Sequence, residues 1–406
     1  MVKPHFLLLL GALAPCAHSA GPTGYLNDTG QTNCYDAADV AVVCGAGGVG
    51  ADAGVNPRQD ARFGRDAAGM VKTGGGAAGF DFTKMCMSGE LAGGGACSAN
   101  PTVGGATNNW ACTQDNHTHL IWSVATLNGA TWADATTTHP DRYNRASHCG
   151  FDSGWRVPTR RELLSIVHHG ITHPSIDHRY FPDTVADWYW SAETYALAPA
   201  RAWVVNFDFG NSYAIRKTDA VQVRLVRSLS PALPAAVTDH GDGTVTDRVT
   251  GLMWDKCAWG QSNATDCSGG AASAHIWPAA LGVAVTANGS SHRGYTDWRL
   301  PNRSEMESLV KMDAFHPAID STPFPNTLNW YWTSTTLALN PALAWRLSFA
   351  DGYSYGGHKT GEFHVRLVRG GQFAFVDSMA AVIGRRFGIG GDTADREASR
   401  VGWVPR

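Results

Sequence analysis

The chain has 406 residues, a formal net charge of -3, 17% charged residues and 44% in the hydrophobic set. That balance excludes an acidic disordered chain and a basic nucleic-acid binder, and the composition excludes collagen, a coiled coil and a membrane bundle. The length predicts two or three domains with real cores, while 46 glycines and 15 tryptophans are unusual for a cytosolic enzyme.

Residues 1–20 read as an export signal. Lys3 gives a minimal positive start, Phe6 to Ala14 a short apolar run, and Ala17-His18-Ser19-Ala20 small residues for cleavage. Pro15 before Cys16 argues against a lipid anchor there. No later stretch is apolar over the roughly 18 residues that a transmembrane helix needs. The mature chain is therefore expected outside the cytoplasm: secreted, periplasmic or on the cell surface.

Eight further cysteines fit an oxidising compartment. Proximity suggests Cys34–Cys44, Cys86–Cys97 and Cys257–Cys267, which leaves Cys112–Cys149; this is one of about 105 connectivities. A zinc site would need paired Cys-x-x-Cys or Cys/His spacing, which the chain lacks. Residues 45–106, rich in Gly and Ala, read as a long irregular insertion.

An internal repeat is the strongest signal. Trp155-Arg-Val-Pro-Thr-Arg-Arg-Glu162 answers Trp298-Arg-Leu-Pro-Asn-Arg-Ser-Glu305, and Trp188-Tyr-Trp-Ser191 answers Trp330-Tyr-Trp-Thr333. Thr118-His-Leu-Ile-Trp122 matches Thr250-Gly-Leu-Met-Trp254, and Val223-Arg-Leu-Val-Arg227 matches Val365-Arg-Leu-Val-Arg369. Twelve of the fifteen tryptophans fall into six matched pairs. The period is far longer than a solenoid unit, so the reading is tandem domains.

Within each copy, Thr159-x-x-Glu162 and Asn302-x-x-Glu305 predict capped helices. Leu163, Leu164, Ile166 and Val167 give the first a buried face, as Met306, Leu309 and Val310 do the second, with Gly170 as a stop. Period two then predicts strands from Trp190 and Trp332, over Trp203–Phe207 and Trp345–Phe349, and over Phe363–Arg369. Gly210-Asn211, Asp242-Gly243 and Asp351-Gly352 predict tight turns. The boundaries follow: signal 1–20, first domain 21–228, linker 229–238, second domain 239–371, tail 372–406.

The run Asp242-Gly-Thr-Val-Thr-Asp247, Thr250-Gly-Leu-Met-Trp254, Asp297-Trp-Arg-Leu-Pro-Asn-Arg303, Tyr331-Trp-Thr-Ser334 and Val365-Arg-Leu-Val-Arg369 resembles the Lcl C-terminal domain family. That family is named after a collagen-like bacterial surface adhesin. The second copy resembles it over about 239–370, the first over about 118–227, and the opening Thr29-Gly-Gln-Thr-Asn-Cys-Tyr-Asp36 is similar to how exported members begin. The Trp-Arg-Leu-Pro and Arg-Leu-Val-Arg segments also look like the C-type-lectin-like fold, which formylglycine-generating enzymes share. The resemblance implies an α+β fold: two tandem C-type-lectin-like domains, antiparallel strands with one or two helices each, stapled by disulfides. It also implies a surface-binding role, although fold does not fix function.

Matched tryptophans at fixed strand positions read as core. Turn residues are better ligand candidates: Asn211, Tyr213, Asp351, Tyr353, Tyr355, His358 and Lys359 combine rings with adaptable polar groups. Asp239, Asp242 and Asp247 form a partial carboxylate cluster for calcium, but Asp-Gly is also a hairpin signal and no bidentate glutamate follows at calcium-loop spacing. His168, His169, His173 and His178 resemble a metal cluster, yet the second copy keeps only His316-Pro317 against His173-Pro174. Arg156, Arg160, Arg161, Arg224 and Arg227 recur as Arg299, Arg303, Arg366 and Arg369. They suit a sulfated-glycan patch or, more simply, internal bidentate bonds.

A formylglycine-type oxidase would need a late cysteine pair, and neither copy has one after its capped helix. No nucleophile elbow, P-loop or dinucleotide fingerprint appears. The expected function is an exported, non-catalytic binding protein or adhesin without cofactor, recognising a glycan or protein ligand at the cell surface. The alternative is a self-associating envelope protein that binds no sugar.

Overall fold

The computed structural model describes residues 26–44, 58–67, 71–229 and 237–370. The expected signal (1–20), Cys16, most of the linker and the tail lie outside them. Within the described residues the fold rests on four small sheets, two from each copy.

In the first copy Phe82–Cys86, Trp110–Asp115, Leu120–Ser123 and Val226–Ser228 form an antiparallel four-stranded sheet. A second sheet orders Leu127–Ala130, Val221–Val223, Trp188–Thr194, Arg201–Asn206 and Ser212–Arg216. The second copy repeats both, with Val237–Asp239, Thr244–Asp247, Leu252–Asp255 and Val368–Gly370 in one sheet. Its other sheet orders Ala274–His275, Phe363–His364, Trp330–Thr336, Leu343–Ser348 and Ser354–His358. Among the described strands of these four sheets, only the Gln222–Tyr189 and His364–Tyr331 pairings are parallel.

This corrects the expected fold class. The chain is not an α+β pair of C-type-lectin-like domains: its short, mostly antiparallel sheets form a four-bladed, propeller-like ring with few helices. The capped helices are too short to make a layer, at six residues for Arg160–Ser165 and five for Arg303–Glu307. Nor are the copies separate bodies, because the described residues of both fall in one compact unit. Tyr195, Trp203 and Ala214 of the first copy share a core cluster with Tyr353 of the second.

The motifs now have physical roles. Both capping boxes form, and Arg156 and Arg299 clamp the capping glutamates with two bonds each, 2.7 and 2.6 Å to Glu162, 2.6 and 2.6 Å to Glu305. The proline between arginine and cap sits outside the helix, where its missing N–H costs nothing. The closing Val-Arg-Leu-Val-Arg is not one strand as predicted. It breaks at a fully buried arginine, so its first part joins one sheet and its last part the other. Arg224 donates there to the Ser123 carbonyl (3.1 Å) and Thr184 Oγ1 (2.8 Å); Arg366 donates to the Asp255 carbonyl (3.2 Å) and Thr327 Oγ1 (2.9 Å). One motif thus ties both sheets of its copy together. The helices Thr138–Arg145 and Trp277–Gly289 had no clear signal in the repeat.

The disulfides join Cys34 to Cys44, Cys86 to Cys97, Cys112 to Cys149 and Cys257 to Cys267. The Gly/Ala-rich stretch is more than a tethered loop where it is described, since it contributes an edge strand and the buried Phe80 and Phe82.

The described residues 26–44, with 58–67 from the start of that stretch, bridge the copies. Leu26 packs in the second copy's core, beside Trp254 and Met306. Asp28 accepts from Asn302 Nδ2 (2.8 Å), and Asp60 accepts from the hydroxyls of Thr29 and Thr335 (2.7 Å each). Asp66 accepts from the amides of Gly30 (2.6 Å) and Gly79 (2.5 Å). Burial, and then the charge of Glu305, pushes the Asp28 carboxyl up to about 6; burial and then Asp28 push Asp60 up to about 8. Burial followed by Asp28 and Asp60 raises Asp66 well above the carboxylate range.

These carboxyls keep protons that the unfolded chain releases near pH 3.8. Their contribution to stability is complete below that value and is lost as pH rises through about 6 and about 8. Buried histidines act oppositely: burial lowers His117 to about 3 and His148 and His168 to about 4, so they cost stability only below pH 6.5. Between pH 6.5 and about 8 the carboxyl trend therefore stands without the histidine one. The thermal midpoint is expected to fall over that interval, and Asp60→Asn to flatten the fall; scanning calorimetry at stepped pH measures both.

Candidate functional site

The tips of the two larger sheets meet at the junction of the copies, and two reciprocal arginines place them. Arg160 and Arg303 open the capped helices and are both 1% exposed. Arg160 Nη1 donates to the Gly352 carbonyl of the other copy (2.7 Å), while Arg303 Nη1 donates to the Gly210 carbonyl (2.5 Å). Each guanidinium also lies over a tryptophan of its own copy, Arg160 over Trp203 at 4.4 Å and Arg303 over Trp345 at 3.7 Å. Gly210 and Gly352 sit at φ of 80° and 81°, and an added Cβ would press Val167 from the first and Val310 from the second.

One acid serves both arginines. Glu307 is buried, bonds Arg160 Nη2, accepts from Ser354 Oγ (2.6 Å) and faces Arg303 Nη2 at 3.6 Å. Its counterpart by repeat position in the first copy is Leu164, so the pair of arginines shares a single carboxylate.

This junction lines up rings from both copies. Trp188 lies 6.2 Å from Tyr213, Tyr213 lies 5.4 Å from Tyr353, Tyr353 stacks on Tyr355 at 5.6 Å, and Tyr355 lies 6.2 Å from Trp330. Tyr213 is 39% exposed; Trp188, Tyr355 and Trp330 are half-buried, and Tyr353 is buried beneath them. Tyr195 and Trp203 back the row from below, with Tyr195 at 5.5 Å and Trp203 at 4.8 Å from Tyr353. Arg346 lies over Trp330 at 4.2 Å, where the first copy has Val204. Burial, reinforced by neighbouring tyrosines, drives the Tyr353 phenol far above its ordinary value; burial and then Tyr213 push Tyr355 to about 12. Both hydroxyls therefore stay protonated and able to donate across the physiological range.

Of the sequence candidates, Tyr213, Tyr353 and Tyr355 come together in this row. Asp351 stands in the turn beneath it and accepts from the Tyr353 amide (3.3 Å). Asn211, the counterpart of Tyr353, has a buried Oδ1 with no hydrogen-bond partner. His358 is exposed at the far end of its strand. Lys359 is elsewhere in role: it is buried, bonds Asp39 (2.8 Å) and lies over Trp277 (4.4 Å), pinning the leading segment. Trp188 and Trp330 had been read as core; they are the one tryptophan pair on this face, and their place at the start of each strand was the only sequence signal.

The carboxylates considered for calcium are spent on local structure. Asp239 bonds Lys256 (2.7 Å), Asp242 caps Thr244 (2.8 Å to its amide), and Asp247 accepts from Thr250 Oγ1 (2.9 Å). The histidines do not gather either: His168 and His169 are buried, while His173 is exposed and bonds Asp208 (2.5 Å). Among the described residues, Cys112, His148 and Cys149 alone group at metal-ligand distances, and both cysteines are in their disulfide. Of the repeated arginines, Arg160, Arg224, Arg303 and Arg366 are fully buried and Arg156 and Arg299 are spent on the capping glutamates, whereas Arg161 is exposed and Arg227 and Arg369 are half-buried. No helix among the described residues is long and apolar enough to cross a membrane.

The ring of four sheets and the shared junction define a duplicated β protein with one composite aromatic face. A model of the Lcl C-terminal domain matches residues 111–227 and 243–369, and the chain belongs to that family. No curated protein matches the chain.

Removing Glu307 leaves two buried cations without their acid, which costs about 3–5 kcal/mol in comparable sites. Glu307→Ala is expected to lower stability by that order in urea unfolding. Glu307→Gln, which keeps the Ser354 bond, should cost less.

Proposed function

We propose that the protein is an exported, non-catalytic binding protein that holds a carbohydrate chain along the Trp188–Tyr213–Tyr353–Tyr355–Trp330 row. The single observation behind this reading is that row, built from both copies with its rings spaced 5.4 to 6.2 Å apart. Flat rings stack on the C–H faces of sugars, and Tyr and Trp give rigid amphipathic contact at small entropic cost. The half-buried Tyr355 phenol supplies a donor for a sugar hydroxyl, and Arg346 adds a cation at one end. Four disulfides suit a location outside the cytoplasm, as a cell-surface or secreted adhesin requires.

A glycan array followed by fluorescence titration of the full chain tests the proposal. Saturable binding is expected, with Tyr213→Ala and Tyr355→Ala together weakening it at least about tenfold, or 1.4 kcal/mol. Both positions are partly exposed, so the thermal midpoint should hardly move. A blank array, with self-association in light scattering, would replace this reading with an envelope-assembly role.

A further inference from the structure

The copies meet through reciprocal contacts, yet among the described residues only one of two grooves equivalent by repeat position is filled. In the filled groove the leading segment lies between the copies: the His169 amide donates to the Thr29 carbonyl (2.7 Å), and Gln31 makes two bonds with the backbone of Thr336 (2.9 and 3.0 Å). Asn302 holds Asp28 and Thr335 holds Asp60, as described above.

Every wall of that groove has a counterpart on the other side. Thr159 answers Asn302, Glu193 answers Thr335, Thr194 answers Thr336, and Met312 answers His169. These counterparts line two adjoining cavities of about 260 and about 390 Å³, which share Glu193 and Met312. No described residue of the chain enters them in the way that residues 27–31 enter the filled groove.

We infer that this open groove receives an extended segment of a partner polypeptide bearing a lysine or arginine that faces Glu193. The internal segment is the template for the backbone path. The side-chain chemistry follows from the substitution in the wall. A hydroxyl that donates to a carboxylate in the filled groove is replaced by a carboxylate, so the guest must bring a donor. Glu193 already accepts from the Arg160 amide (2.8 Å), and Arg161, where the filled groove has Ser304, lines the inner cavity; Glu193 and Asp313 are the charged residues that line the wider cavity, and the guest's cation enters there. The same charges argue against a second copy's leading segment, whose Asp28, Asp60 and Asp66 would meet Glu193 and Asp313.

The test titrates the full chain with a synthetic peptide of residues 26–33 carrying Thr29→Lys, and with the unsubstituted peptide, by calorimetry. One saturable site is expected, at least about tenfold tighter for the lysine peptide. Glu193→Gln should erase the preference, Ala196→Trp should block the groove, and Tyr213→Ala on the aromatic row should change nothing. Equal affinity for the two peptides, absence of saturation, or binding that survives both groove variants would overturn the inference. So would a dimer of the chain that Ala196→Trp dissolves, which would make a second copy the occupant.

Discussion

Arg160 and Arg303 each leave water entirely to bond a backbone carbonyl of the opposite copy, and the arrangement of the molecule follows from that exchange. A buried guanidinium is tolerated only when its donors are met and its charge is balanced. The carbonyls of Gly210 and Gly352, the faces of Trp203 and Trp345, and the carboxylate of Glu307 meet that need together. Because the accepting carbonyls belong to the glycine turns, satisfying the arginines also pulls both hairpin tips to one place. The ring of rings at the junction is a consequence of a charge problem solved in the core.

The duplication is faithful where it builds the scaffold and unequal where it meets the junction. The capping boxes, their arginine clamps and the arginine break in the last strand are the same in both copies. Glu307 against Leu164, Arg346 against Val204 and Glu193 against Thr335 are not. One acid for two arginines needs only one side to supply it, and one leading segment can fill only one groove. An exact copy would have left either two acids in one cavity or two grooves competing for a single strand.

The repeat and the capped helices were legible because they are local: a cap and its glutamate lie three residues apart. The turns at Gly210 and Gly352 were legible for the same reason. The fold class was not, because a short capped helix reads the same whether or not it grows into a layer. Nor could the strand Phe363–Arg369 be seen to split, since the break depends on Arg366 reaching carbonyls more than a hundred residues away. The site was half visible. Tyr213, Tyr353 and Tyr355 stood out as turn aromatics, but Trp188 and Trp330 belong to a repeated motif whose other members are buried. Lys359 looked like a tip residue and proved to be held by Asp39, a partner 320 positions distant.

The leading segment shows why a repeat can mislead about independence. Its aspartates are buried between the copies at a desolvation cost that raises their proton affinity, and a segment that merely decorated one domain would not sustain that cost. Its bonds to Asn302, Thr335 and Thr336 reach the second copy, while the Thr29 carbonyl takes the His169 amide of the first. The described residues 26–44 and 58–66 therefore act on both copies at once. Such a strap holds the ring on one side; on the other side no described residue fills the equivalent cleft, whose half-buried acid is Glu193.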